Sequence, residues 1–182
     1  KTGTLTEGRP QVVTVETFGE WEQAEILRLG AAVEVGSTHP VAHAVVVASD
    51  RARTTDDGVV ALPDVLDFEE LVGAGVSGIV EDRRVVVSSP VRFTEISGVV
   101  IPTEMTDRVA SLESAGQTTL VVAVDGAIAA LIGVADAVRA ETPALVSEIK
   151  ALGIVHQAML TGDNPRVAQE IALRAGVPEY RA

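Results

Sequence analysis

Apolar positions change their spacing along the chain, and each change marks an element. Gln11 to Val15 alternates enough to predict a strand. From Glu20 to Val35 the spacing is helical, with Trp21, Ala24, Leu27, Ala31 and Val35 on one face. Gly36-Ser37-Thr38 breaks that pattern, and Pro40 suits the first turn of a second helix striped by Val41, Ala44, Val45 and Ala48. Arg51 to Gly58 is polar and predicts a loop. Strand patterns follow from Val65 to Ser88, at Asp67-Phe68-Glu69, Gly78-Ile79-Val80 and Arg84 to Val87, with a glycine cluster and the turn Glu81-Asp82-Arg83 between them. Thr103 to Ala115 predicts a helix stopped by Gly116. Between Leu120 and Ala135, two β-branched apolar runs flank Asp125-Gly126, the pattern of a tight hairpin. Residues 10–133 are therefore expected to form an α+β unit, a mostly antiparallel sheet with helices packed on one side.

The last third has a different rhythm. Thr142-Pro143 starts a helix with Leu145, Ile149 and Leu152 expected inward and Gly153 closing it. Ile154 to Leu160 predicts a short buried strand. Asn164-Pro165 opens another helix, with Val167, Ala168, Ile171 and Ala172 inward and Gly176 as its stop. Helix, strand, loop, helix is the order found in a doubly wound parallel sheet.

Composition narrows the class. Apolar residues make up 47% and aromatics only 3%, an aliphatic α/β balance that can bury a core. The formal net charge of −12 argues against nucleic acid or an anionic membrane as partner, since both require a basic face. With no cysteine there is no disulfide framework and no thiolate metal site. The apolar run from Leu120 to Ala135 is shorter than the ~20 residues a spanning helix needs and is interrupted by Asp125-Gly126, so direct membrane insertion is not expected. Lys1-Thr2-Gly3-Thr4 offers neither an initiator Met nor an apolar leader, which suggests a processed chain or a segment of a longer one.

Three segments carry candidate chemistry. Met159-Leu160-Thr161-Gly162-Asp163-Asn164-Pro165 lies where a strand ends and a helix begins, the edge at which open α/β sheets bind ligands and a helix N-terminus attracts phosphate. Thr161 adds a hydroxyl, Gly162 permits close approach, and Asp163 either orients the loop or polarises a magnesium-bound water. Helix capping by Asp163 or Asn164 explains the same residues equally well. Lys1-Thr2-Gly3-Thr4-Leu5-Thr6 is small and rich in hydroxyls, as a phosphate-contacting loop or a frayed terminus would be. Gly73-Ala74-Gly75-Val76-Ser77-Gly78 matches the dinucleotide fingerprint G-x-G-x-x-G, but the β-branched stretch Ile79 to Val87 stands where that fingerprint needs a helix.

Together these segments resemble the heavy-metal-transporting P-type ATPases. Lys1 to Thr6 is similar to the phosphorylation motif Asp-Lys-Thr-Gly-Thr-(Leu/Ile)-Thr without its first residue. Met159 to Asn164 resembles the second motif of the phosphorylation domain, and Asp136-Ala137-Val138-Arg139 resembles the Asp-x-x-Arg motif of the hinge. Ser37-Thr38-His39-Pro40 resembles the Ser-x-His-Pro motif of the heavy-metal branch, with Thr38 where the family usually has Glu.

The resemblance implies that Glu34 and His39 contact adenine, that Gly73 and Gly75 let the nucleotide lie on backbone, and that Ser88 stands where the family carries Gly in a further pair with Ser89. It also implies catalytic roles for Lys1, Thr2, Thr161, Gly162 and Asp163, a magnesium contact from the Thr2 carbonyl, and hinge roles for Asp136 and Arg139. The implied fold is an α+β nucleotide-binding domain (10–133) inserted in a partial haloacid-dehalogenase-like phosphorylation domain (1–9 and 134–182). ATP and Mg²⁺ are the implied cofactors, with the transmembrane and actuator domains of the same chain as partners, and a cytoplasmic place in a plasma-membrane pump. Copper is the first expectation for the ion on family frequency, with zinc, cadmium, lead and cobalt open. The family's nucleophilic Asp would precede Lys1, and its later magnesium site and phosphate-binding Lys would follow Ala182, so these residues are expected to bind ATP weakly without turnover. A soluble phosphatase of the same superfamily and a dinucleotide-dependent oxidoreductase are the rival readings. His43 is expected on the surface, His156 beside a core strand, and the scattered Glu and Asp on a solvated face.

Overall fold

The apolar runs of the first two thirds are nearly continuous rather than alternating, and a computed structural model shows why: helices cover the sheet they form on both faces. Residues 1–55, 58–71 and 73–182 are described. In chain order the elements are β1 (Gln11–Thr17), α1 (Gln23–Glu34), α2 (Pro40–Ala52), β2 (Thr54–Thr55), β3 (Gly58–Val59), β4 (Val65–Leu71), β5 (Gly75–Val80), β6 (Arg83–Ser88), α3 (Pro90–Ser97) and α4 (Thr103–Ser114). They continue with β7 (Thr118–Val124), β8 (Ala127–Ala135), α5 (Thr142–Ala151), β9 (Ala158–Leu160), α6 (Pro165–Ala175) and β10 (Glu179–Arg181).

Six strands make one antiparallel sheet in the order β1-β8-β7-β6-β5-β4. Successive residues of each strand point to opposite faces. On one face Val85, Val87, Leu120, Val122, Ile132 and Val134 pack under α1 and α2 with Ile26, Leu29, Val33 and Val45. On the other, Val86, Val121, Ala123 and Leu131 pack under α3 and α4 around Phe93, Val109 and Leu112. The expectation of helices on one side is thus corrected to both.

The strand and hairpin expectations are met at Gln11–Thr17 and around Asp125-Gly126, where both turn residues have positive φ. Asp125 also accepts a hydrogen bond from the Arg84 N–H at 2.9 Å, which fastens the hairpin to β6. Helix α1 is buried on a broader and shifted face. Ala24 and Val35 are exposed while Ile26, Leu29 and Val33 are buried, because α1 packs against both the sheet and α2. The stretch expected as a loop holds the small pair β2 and β3, with Thr54 opposite Val59; Asp56 and Asp57 lie outside the described residues.

The last third forms a smaller unit around Val146, Met159, Val167, Ala168, Ile171, Ala172 and Ala175. Strands β9 and β10 pair in parallel. Helix α6 buries the face its sequence predicts, and Gly176 ends it in the left-handed conformation. The other two expectations are corrected. Only Ala158–Leu160 is strand, with Ile154, Val155 and Leu160 more than half exposed, and His156 is exposed rather than beside a core strand. Leu145 and Leu152 face outward as well, because α5 packs on the unit through Val146 and Thr142. His43 is exposed, as expected.

Phe93 has no exposed surface and anchors the second face of the sheet. Replacing a buried Phe by Ala removes its transfer free energy and leaves a cavity, at a cost of about 3–5 kcal/mol. Phe93→Ala is therefore expected to lower the urea unfolding free energy by that amount. A loss below about 1 kcal/mol would show that α3 is not part of the core.

Candidate functional site

Two connections tie the units together. Residues 5–9 and 136–142 run side by side: Glu7 N–H donates to the Ala137 carbonyl at 2.9 Å, Arg139 N–H to the Leu5 carbonyl at 3.0 Å, and the Thr142 hydroxyl to the same carbonyl at 3.0 Å. Asp136 sits at the centre, accepting from the Thr6 hydroxyl at 2.5 Å and from the Arg9 N–H at 3.0 Å. Thr6 is fully buried. A second bridge lies further out. The Glu113 carboxylate on α4, itself buried, accepts from the Asn164 amide at 2.8 Å and from Arg166 at 3.1 Å, both at the start of α6.

Between these ties opens a cleft of about 700 Å³, lined by Lys1, Thr2, Glu34, Ser37, His39, Glu70, Gly73, Gly75, Ser88, Glu113, Asp136 and Thr161 to Asn164, among others. It thus brings together the site residues expected from both ends of the chain. Arg139 is not in its wall; its backbone serves the crossing instead.

At one end of the cleft, the conformation follows from glycine and a capped helix. Gly75 has φ +152°, and a Cβ there would stand 2.3 Å from the Val87 carbonyl oxygen, so no other residue fits. Gly73 has φ +72°. Ser88 is buried, and its hydroxyl reaches the Ala74 carbonyl at 2.6 Å, which holds the glycine turn against β6. Gly75–Val80 is a strand, so the helix a dinucleotide fingerprint requires is absent. His39 caps α2: its Nδ1 accepts from the Val41 N–H at 3.2 Å. The neutral ring therefore carries its proton on Nε2. Capping and lining the cleft are both done by this one side chain.

Glu34 ends α1 with 6% of its surface exposed. Burial, and after it the neighbouring Glu70 carboxylate, push its carboxyl from the ordinary 4.5 up to about 7. Glu70 is joined to the same wall by the Ser37 hydroxyl, which donates to it at 3.2 Å.

At the other end, Lys1 Nζ pairs with Asp163 at 2.8 Å, and both side chains are largely buried. The Thr161 hydroxyl donates to the same carboxylate at 2.5 Å and accepts from the Asp163 N–H at 3.2 Å. Asp163 therefore orients the loop. Asn164, not Asp163, caps α6, accepting from the Val167 N–H at 3.0 Å. Gly162 has open space around it. This end offers a cation, a helix N-terminus and small residues, which suit an anion. Among the described residues, no group of three or more His, Cys, Asp or Glu side chains is placed to hold a metal ion. Asp163 is engaged by Lys1, so these side chains do not by themselves form a magnesium site.

Glu70 is exposed, as expected of the acidic scatter, but on the cleft wall, whereas Glu113, read with the same solvated face, is buried. A carboxylate at the core or cleft looks like any other in sequence unless its partner is known, and Asn164 and Arg166 lie about 50 residues from Glu113.

A family model, haloacid dehalogenase-like hydrolase, matches residues 1–181. The chain belongs to the haloacid dehalogenase-like hydrolase family. Among its relatives is a manganese-exporting P-type ATPase of Mycobacterium tuberculosis, 34% identical over 183 residues that cover all of this chain and 24% of the relative. A zinc-transporting PIB-type ATPase in its E2.Pi state superposes with a TM-score of 0.73 at 35% identity, over 100% of this chain and 28% of that one. The N-domain of HMA6, a copper-transporting P-type ATPase, superposes with a TM-score of 0.54 at 27% identity, over 69% of this chain and 98% of that one. The chain thus spans about a quarter of the length of the curated relative. No helix among the described residues is long and apolar enough to cross a membrane.

Glu34 makes stability depend on pH. Folded, its carboxyl holds a proton that the unfolded chain releases above the ordinary 4.5. Its contribution is complete below that value and is lost as pH rises through about 7, by roughly 3 kcal/mol in full. In Glu34→Gln the side chain stays neutral. The fall in urea unfolding free energy between pH 5 and pH 8 is expected to shrink by roughly 2–3 kcal/mol. An unchanged fall would mean that Glu34 is ionised in the folded chain.

Proposed function

We propose that this chain is the ATP-holding part of a heavy-metal-transporting P-type ATPase, a cytoplasmic portion of a longer membrane protein. Its carrying observation is the single cleft in which Glu34, His39, Gly73 and Gly75 face Lys1 and Thr161 to Asp163. One end has the buried carboxyl, imidazole and bare backbone that suit a purine. The other has the cation and helix start that suit phosphates. The division into a nucleotide-binding domain at 10–133, flanked by parts of a phosphorylation domain at 1–9 and 134–182, is supported by the likeness of about two thirds of the chain to an isolated N-domain.

In this reading Lys1 and Thr161 to Asp163 hold the phosphoryl end, Glu34 and His39 the base, and Ser88 acts indirectly by fixing the glycine turn. Positioning and charge neutralisation supply most of the catalysis in phosphoryl transfer. Magnesium would come with the triphosphate, the Thr2 carbonyl being its one proposed contact in this chain. Asp136 and Arg139 lie at the crossing of the two connections, which suits a hinge. The exposed Leu145, Leu152, Ile154, Val155, Leu160 and Leu173 suit a surface met by other parts of a longer chain.

The ion is a separate matter. The relatives named above carry manganese, zinc and copper in their descriptions, and nothing in the cleft favours copper among them.

The test is calorimetric titration of the 182-residue chain with ATP and with NADH. ATP is expected to bind and NADH not. His39→Gln is expected to weaken ATP binding about tenfold, the effect of losing one ligand contact worth about 1.4 kcal/mol, without lowering the melting temperature by more than a few degrees. Equal ATP affinity in the variant would remove His39 from the site, and no ATP binding by the unaltered chain would overturn the reading.

A further inference from the structure

Phe68 belongs to none of the three apolar cores found among the described residues, and 40% of its surface is exposed. Core packing therefore does not explain a large aromatic ring at this position. What the ring touches is Gly36. A Cβ built on Gly36 would stand 2.5 Å from the ring's Cζ and 2.9 Å from each Cε, far inside contact distance. Gly36 does not have a left-handed φ, so backbone freedom is not what position 36 requires. It requires the missing side chain, because the Phe68 ring occupies that space.

A bulge aims the ring. Val65 pairs with Val80 and Leu66 with Ile79, but Glu69 pairs with Ser77, so β4 carries one extra residue between Leu66 and Glu69. Asp67, inside that stretch, has φ +48°. Val65 packs on the core under α1 and α2. Strict alternation would turn Asp67 and Glu69 to that same side, and the extra residue turns Phe68 and Glu70 there instead. Phe68 then meets Gly36, just past the end of α1. Two positions on, the Glu70 carboxylate accepts from the Ser37 hydroxyl at 3.2 Å, and the Ser37 oxygen accepts from the His39 N–H at 3.3 Å. The Ser37 N–H in turn donates to the Glu34 carbonyl at 3.0 Å. Residues 36–39 are thus held between the end of α1 and β4.

These restraints differ in weight. The exposed hydrogen bond from Ser37 to Glu70 exchanges readily with water and restrains weakly. The ring is a rigid body against backbone, and neither yields without the other moving. Phe68 does not itself line the cleft, so it reaches a ligand there only through the segment it packs on.

We propose that Phe68 is a positioning residue for the base end of the cleft: packed on Gly36, its ring fixes the segment that presents the His39 imidazole to a purine. The role rests on the nucleotide reading above and adds to it what holds His39 in place.

The experiment is calorimetric titration with ATP of the 182-residue chain, of Gly36→Ala, of Phe68→Leu and of the two combined, with Gly36→Ala measured also in the His39→Gln background. Gly36→Ala puts a methyl group where the ring stands and is expected to weaken ATP binding about fivefold. Phe68→Leu leaves the segment loose and should weaken it about threefold. In the double variant the new methyl fills the space the ring gives up, so ATP should bind more tightly than to either single variant. With His39 already replaced, Gly36→Ala should cost little more, because the imidazole it misplaces is gone. Unchanged ATP affinity in either single variant would overturn the proposal, and so would a double variant no tighter than both. An equal loss from Gly36→Ala with and without His39 would assign the effect to general disruption of the fold and overturn it too. Each of these results, on a chain that binds ATP, leaves the nucleotide reading intact; no binding by the unaltered chain would overturn both.

Discussion

Everything at the cleft depends on the crossing of two connections, residues 5–9 and 136–142. The large sheet starts and ends there, since β1 pairs with β8 and both leave the sheet at the same edge. A buried Thr6 hydroxyl bound to Asp136, with backbone bonds on either side, fixes the pair in one register. Buried polar groups with all their partners present resist sliding, because any shift leaves a desolvated donor or acceptor unpaired. Lys1 is carried by that crossing to within 2.8 Å of Asp163, and the glycine turn of the sheet is held facing it. The Glu113 bridge to Asn164 and Arg166 adds a second point of attachment, and two points set an angle where one leaves a pivot.

The chain has a net charge of −12, and a phosphate ligand would be repelled by its average field. The cleft answers this locally. Lys1 and the N-terminus of α6 stand at one end, while at the other Glu34 is buried and its carboxyl is pushed toward neutrality. Net charge therefore excludes polyanionic partners that cover a broad surface, and says little about a small anion held by a few donors.

How much of this was legible in the sequence varied with the range of the interaction. The hairpin at Asp125-Gly126, the stop at Gly176 and the buried face of α6 depend on neighbouring residues and were read correctly. The motif residues around His39, Gly75 and Thr161 do line one cleft, though their separate positions in the chain gave no distance between them. What failed depended on packing. Helices on both faces of the sheet appear only once the strands are ordered, and α3, with Phe93 as its one buried residue, has too short an apolar pattern to stand out, although Pro90 and Gly98 mark its ends. Leu145, Leu152 and Ile154 looked inward by spacing alone, and spacing does not say whether anything lies opposite. The buried Glu113 was invisible for the same reason.

The central claim is that one ligand spans both walls of the cleft, and amide hydrogen exchange tests it most directly. With ATP added, protection is expected to rise both at Gly73 to Val76 and at Thr161 to Asp163, whereas adenosine should protect only the first segment. Protection by ATP at the glycine turn alone, or at neither segment, would contradict the account.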